Sequence, residues 1–358
     1  MYAEQMVRVE GILEEDNSIQ KLRTDGGLRK AILYKACSPS VRVGDTVKVN
    51  VTAGLLQLGT GGWDIVIASA GHMYQQEGKG HIMKARYTSC QHSVLAVDAP
   101  EHPDHYLFHD TFQITEKPVM LAELHSMLPI MLGTFLMKKS NVQIGVILSD
   151  EASLPAGLSD HMRIWKKHPQ VHVVTTGQAF GGNEEAVTIP NALLWLFKKK
   201  AVDVFIISMG PGTVGTATPL GFSGMALAEW ANITSSLGGR PIWVPRVSFQ
   251  EKRERHYGIS HHTLTPLLRF AHAPSTLVLP KLTAQNQQVI EKQLLEKHVQ
   301  SSQHDVHVLN VEEWLQEWKA WSLTYPLPIR KMGNDVKRDP DYIKGVLAPV
   351  KYVLEDII

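Results

Sequence analysis

Cysteine is scarce in this sequence: Cys37 and Cys90 are the two in 358 residues. So low a count excludes a disulfide framework and a CxxC metal knuckle, and both residues read as buried thiols of a reducing cytoplasm. His92, two residues beyond Cys90, could lower a thiol pKa, but the inert thiol is the preferred reading. Net charge is scarce as well. Lys and Arg number 36 against 35 Asp and Glu, leaving +1, so no bulk field favours nucleic acid or an anionic bilayer as partner. The chain opens on Met1-Tyr2-Ala3-Glu4-Gln5, with no basic and then apolar leader, and the best membrane candidate, residues 119–137, is broken by Glu123, His125 and Pro129. That stretch reads as a buried helix. Neither GxxxxGK[ST] nor HExxH occurs, and Gly221-Phe222-Ser223-Gly224 is one residue short of GxSxG. The common ATPases, zincins and α/β-hydrolases are therefore set aside.

Histidine, by contrast, occupies 17 positions. With 44% hydrophobic and 20% charged residues, the chain has the profile of a folded protein long enough for two domains. Up to about Ser69, short β-type runs are separated by Asp16-Asn17, Asp25-Gly26-Gly27 and Gly44-Asp45, and Val47, Val49 and Val51 alternate with polar residues. This predicts a small antiparallel β-barrel or sandwich domain over 1–70. Within it Gly59-Thr60-Gly61-Gly62 reads as a tight turn, and residues 71–90 as a linker or connecting strand. From 91 to 321, apolar runs at 94–97, 142–148, 171–175, 202–208, 242–247, 276–279 and 306–309 alternate with helical patterns near 119–138, 160–167, 190–200, 223–237, 261–272, 283–298 and 311–320. That rhythm predicts an α/β domain, a three-layer αβα sandwich with a mainly parallel sheet; a closed eight-stranded barrel would need one more pair. Residues 322–358, with Pro326, Pro328, Pro340 and Pro349, read as an extended C-terminal arm with one short helix packed on the domain or on a second subunit. Trp314, Trp318 and Trp321 form one helical stripe, suited to a core or to a homodimer contact.

In such a sheet, ligands bind beyond the carboxyl ends of the strands. The segment from Gly210 to Thr216 satisfies GxGxxG after a strand, but Pro219 and Gly221 delay the next helix and Ser235-Ser236 stand where a dinucleotide fold needs an acid. An anion-binding loop suits it better, with Gly210, Gly212 and Gly215 baring backbone and Thr213 and Thr216 offering hydroxyls. A glycine turn needed only for packing is the plain alternative. A second constellation holds Arg253, Arg255, His256, His261 and His262. Ser260 is the expected cap of a helix whose first turn carries both later histidines, where the macrodipole disfavours the imidazolium. A neutral imidazole is a general base or a metal ligand, and Arg246, Arg253 or Arg255 can fork onto an anion. Carboxylates at Asp98, Asp150 or Glu184 complete the set: Glu184 to orient a base, and His256, His261, Asp98 and Asp150 as candidates for a divalent metal ion. Solvated or capping histidines remain the plain alternative.

Gly177-Gln178-Ala179-Phe180-Gly181-Gly182-Asn183-Glu184-Glu185-Ala186-Val187, Met209-Gly210-Pro211-Gly212-Thr213-Val214-Gly215-Thr216, Gly221-Phe222-Ser223-Gly224 and Arg253-Glu254-Arg255-His256-Tyr257-Gly258-Ile259-Ser260-His261-His262-Thr263 together resemble an uncharacterised bacterial protein family, domain of unknown function 3866. The resemblance spans nearly the whole chain, and Gly59-Thr60-Gly61-Gly62 is similar too. In that family's pattern an acid stands where this chain has Asn183, which directs the carboxylate role to Glu184. The resemblance implies a bacterial cytosolic protein with a recurring Gly, Arg and His set, and no activity. The resulting expectation is a cytoplasmic enzyme, a hydrolase or transferase acting on a small anionic metabolite, phosphorylated or carboxylated. The alternative is a metabolite-binding or sensory module whose β-domain contacts a partner. Both require residues 210–216 and 253–262 to meet around one hollow.

Overall fold

Five short strands, β1 (Glu4–Glu15), β2 (Ile19–Thr24), β3 (Lys30–Tyr34), β4 (Thr46–Asn50) and β5 (Asp64–Ser69), close into a barrel in the order β1-β2-β3-β5-β4, with a one-turn helix, α1 (Thr52–Leu55), between the last two. The computed structural model describes residues 1–58, 62–71, 75, 77–299 and 302–356, so Gly59, Thr60 and Gly61 of the glycine turn lie outside the described residues. Of the two architectures the sequence allowed, the barrel is the one adopted. It is antiparallel apart from the β3–β5 pair. Inward-pointing Val7, Val9, Leu22, Leu33, Val47 and Val49 fill it. Register slips at Val9/Gly11 and Ile12/Glu14 bend β1 enough to pair with both β2 and β4.

A hairpin, β6 (Ile82–Lys84) and β7 (His92–Val94), follows the barrel. Here the expected strand at 94–97 is corrected: the segment joins the large sheet only at an isolated Ala96–Glu185 bridge, where the Val97 N–H donates to the Glu185 carbonyl at 2.7 Å. That sheet is built from β8 (Pro118–Ala122), α2 (Met127–Lys138), β9 (Ile144–Ser149), α3 (Asp160–Trp165), β10 (Val171–Thr175), β11 (Glu184–Glu185), α4 (Ile189–Lys200), β12 (Val204–Met209), α5 (Ala226–Ser236) and β13 (Arg240–Val244). A small pair, β14 (Val247–Ser248) and β15 (Gly258–Ile259), precedes α6 (His261–Phe270), β16 (Thr276–Pro280), α7 (Ala284–Glu296), β17 (Asp305–Leu309), α8 (Glu312–Thr324) and α9 (Pro340–Asp356). Among the described residues the sheet has eight strands, all parallel, in the order β11-β10-β9-β12-β8-β13-β16-β17. Strands β8, β9 and β12 are buried along their whole length, because helices cover both faces. One layer holds α2, α3, α8 and α9, the other α4, α5, α6 and α7.

Two expectations give way. Residues 119–138 are not one helix but the central strand β8, a polar turn and α2. The C-terminal residues are not an arm: α9 lies in the core against β16 and α2. Among the described residues no helix is long and apolar enough to cross a membrane. The tryptophan stripe is core, with Trp318 fully buried and Trp321 set against Gly133 of α2, where a Cβ would collide with the indole.

The barrel is joined to the sandwich by charge. Arg163 and Lys21, nearly buried, share Glu14 and Asp160, and Arg163 also reaches Asp16, all at 2.6 to 3.0 Å.

The layers also fix where a crevice must lie. The chain leaves β8 through α2 on one face and leaves neighbouring β12 through α5 on the other. At such a reversal the two connections part and open a hollow beyond the strands' carboxyl ends.

Candidate functional site

The first residue beyond β8 is Glu123, at the reversal between β8 and β12. Its side chain is 3% exposed, and Oε1 accepts the Nδ1–H of His262 at 2.6 Å. His262 stands in the first turn of α6, which begins as predicted: Ser260 is the cap, its Oγ accepting from the His262 N–H at 3.1 Å. The same hydroxyl meets Nδ1 of the buried His256 at 2.7 Å. His261 completes the group, and one ring nitrogen from each of His256, His261 and His262 lies within 4.8 Å of those of the other two. Phe222 stacks flat on His262 with ring centroids 3.8 Å apart.

Electrostatics keep two of these imidazoles uncharged. Burial, then the Arg246 guanidinium, pushes His256 down to about 3; burial, then His262 and Arg255, pushes His261 down to about 4. Of the two first-turn histidines, the expected neutrality holds for His261, and its main cause is desolvation and not the helix dipole. Arg246 is 3% exposed and pinned through its backbone to Thr263 Oγ1 and Ser260 N–H. Its guanidinium sits 4.0 Å from Glu123 and 3.5 Å from Glu251. Arg253 forks onto Glu251 at 3.0 and 2.6 Å, and that contact first, against burial, brings the Glu251 carboxyl down to about 2. Arg253 is thus already neutralised, while Arg255 is exposed beside the cluster. Glu123 Oε2, Arg246 Nε and His261 Nε2 are buried without a hydrogen-bond partner among the described residues.

The glycine loop does meet the histidines. A Cβ on Gly215 would stand 3.7 Å from His262 Cε1, so the segments 210–216 and 253–262 come together at that point. The loop itself is partly self-satisfied. Val214 N–H donates to Ser223 Oγ at 3.0 Å and Thr216 N–H to the Gly221 carbonyl at 2.8 Å, while the Thr216 and Thr218 hydroxyls pair at 2.9 Å. Gly210 is pressed against the Ser153 carbonyl, whereas Gly212 (φ 93°) has open space where a Cβ would go and Thr213 is half-buried beside it.

Three expected carboxylates are placed elsewhere. Glu184 lies on the edge strand β11, four strands from β8 and so about 19 Å away; burial raises its carboxyl, and the nearby charges are His102 and Lys200. Asp98 accepts from Asn191 Nδ2 at 2.6 Å and from Val187 N–H at 3.2 Å. Asp150 caps Gln178 N–H at 2.7 Å. The Gly177 to Val187 segment is a scaffold: buried Lys84 donates to the carbonyls of Gly177 and Ala179 at 3.0 and 2.8 Å and pairs with Glu185 at 3.2 Å. Cys90 is exposed and not buried, and it is Cys37 Sγ that faces His92 Nδ1, at 3.7 Å. Burial, then Cys90, pushes the Cys37 thiol up to about 11, which leaves it unreactive.

Glu123, Glu251 and Phe222 are the members that sequence reasoning missed. A polar Glu-x-His directly after a four-residue apolar run was the available signal for Glu123. His125 marks the same reversal, joining Met209 O of β12 at 3.1 Å to Ser159 Oγ at 2.6 Å.

Residues 30–349 match a family described as a protein of unknown function, DUF3866. No curated protein matches the chain.

Proposed function

The chain belongs to that family of unknown function, and we propose that it is an enzyme of the bacterial cytoplasm acting on a small phosphorylated or carboxylated metabolite in the crevice between β8 and β12. The observation that carries this reading is the Glu123–His262 pair beside a buried and loosely paired Arg246. A guanidinium removed from water with Nε unmatched gains strongly from a planar or tetrahedral oxyanion. In this reading Arg246 takes the anion's charge, and the open backbone at Gly212 and Thr213 holds its far side. The imidazoles, held in place by Ser260 and Glu123, supply the base or the ligand that a hydrolase or transferase needs. Arg255, exposed at the rim, steers the substrate in. Glu184, Asp98 and Asp150 have no part in it.

The test is calorimetric titration with inorganic phosphate, followed by turnover assays across phosphate monoesters and small carboxylates. Arg246→Lys retains the charge but loses the fork, and should weaken phosphate about tenfold or more. No anion binding, or equal binding by Arg246→Lys, removes the reading. A metabolite bound tightly with no product, and with affinity indifferent to His256→Ala, selects a sensory module instead.

A further inference from the structure

We propose that His256, His261 and His262 form a three-histidine centre for one divalent ion of the zinc class; this deepens the reading above and takes its crevice as given. The argument begins with crowding. The three rings touch, with centroids 4.4, 4.7 and 5.2 Å apart, yet among the described residues no hydrogen bond joins one to another. Within that packing the His261 Nε2 is buried with no hydrogen-bond partner among the described residues, a polar atom whose burial costs free energy unless something binds it.

The outer contacts select which nitrogens face inward. Glu123 takes Nδ1 of His262, and Ser260 is placed to take Nδ1 of His256. Each arrangement leaves Nε2 as the ring nitrogen available to an ion, as a carboxylate or hydroxyl behind a ligating histidine does. His261 Nε2 is buried and unpartnered. A tetrahedral ion with bonds of about 2.0–2.1 Å holds its nitrogens about 3.3 Å apart, so loading draws the rings inward by roughly 1 to 1.5 Å from the observed spread.

Arg246 and Arg253 are matched in number by Glu123 and Glu251, and Arg255 stands exposed at the rim. Three protein ligands also leave a fourth position for water or an anionic oxygen. Imidazole donors suit zinc, cobalt, nickel, copper or iron and not magnesium or calcium. Neither Asp98 nor Asp150 is a ligand, since each is engaged elsewhere.

The experiment strips the full-length protein with a chelator and titrates it with Zn²⁺, then with Co²⁺ as an absorbing probe. One ion per chain is expected, with a cobalt spectrum of four- or five-coordinate type. His261→Ala and His262→Ala should each weaken uptake about 100-fold or more, and Glu123→Gln about 10- to 100-fold, because it loosens the ligand without removing it. Unchanged circular dichroism shows that the variants fold; His261, which is partly exposed, is the safer of the two. Absence of stoichiometric uptake at micromolar Zn²⁺, or wild-type uptake by both folded histidine variants, overturns the centre. Phosphate is titrated in parallel. Phosphate binding without ion uptake overturns the metal centre and leaves the anion site standing, whereas ion uptake without phosphate binding supports the centre and removes the anionic-metabolite reading.

Discussion

Asp150 and Gly177 show how a motif rich in glycine and acid serves the scaffold. Gly177 has φ 61° and any Cβ there would run into the Asp150 carboxylate, which caps the next N–H. Gly177→Ala should therefore cost about 1–3 kcal/mol in urea unfolding while leaving phosphate affinity unchanged. Gly212 is the opposite case. It also has positive φ, at 93°, but nothing lies where its Cβ would go. Gly212→Val should cost no more than about 2 kcal/mol of backbone strain yet abolish phosphate binding, by blocking the open side of the loop. The reverse pair of results would move the anion to the 177–187 loop.

The elements explain which parts of the site could be read in advance. Helix α6 announces itself locally: a cap, two histidines, then a stripe of leucines, all within one stretch of chain. Strand β8 does not. Buried on both faces, it has no polar alternation to set it apart from the apolar helix a few residues later, so Val119 to Met137 reads as one period when it holds two. With the strand goes Glu123, whose meaning depends on being at a strand end. Phe222 reaches His262 across 40 residues of sequence, and no local pattern reports that contact. Pro340 and Pro349 mislead in the same way. Pro340 opens α9, where its missing N–H is not needed, and burial of the surrounding apolar face carries the helix through Pro349. At this scale the testable part is the cap. Ser260→Ala should lower stability by about 1 kcal/mol by denaturant titration, with Ser260→Thr recovering most of the loss. If both match the wild type, the hydroxyl neither caps α6 nor holds His256.

Across the whole molecule, barrel and sandwich are each legible from the rhythm of apolar runs, but their joint is not, because Lys21 and Arg163 are 142 positions apart and their partners come from both domains. Strand order is equally hidden, and with it the reversal that sites the crevice. The joint sets a pH dependence. Burial alone would raise the carboxyls of Glu14, Asp16 and Asp160, but hydrogen bonds from Lys21 and Arg163, and for Asp16 from Ser18 and Ile19, outweigh it and hold all three below the usual carboxylate range. Carboxyls depressed in the folded state favour docking at any pH above about 4, where the detached forms are also ionised. As pH falls below that value, protons bind the detached form first and the joint weakens. Arg163→Ala imitates this at neutral pH. Because Glu14 and Asp160 are nearly half exposed, the loss should be about 1–3 kcal/mol, less than for a fully buried pair. Scanning calorimetry should show the barrel melting separately from the sandwich in Arg163→Ala at pH 7, and in the wild type at about pH 3.5. A single unshifted transition in both cases would mean that apolar contact, and not this charge cluster, holds the two parts together.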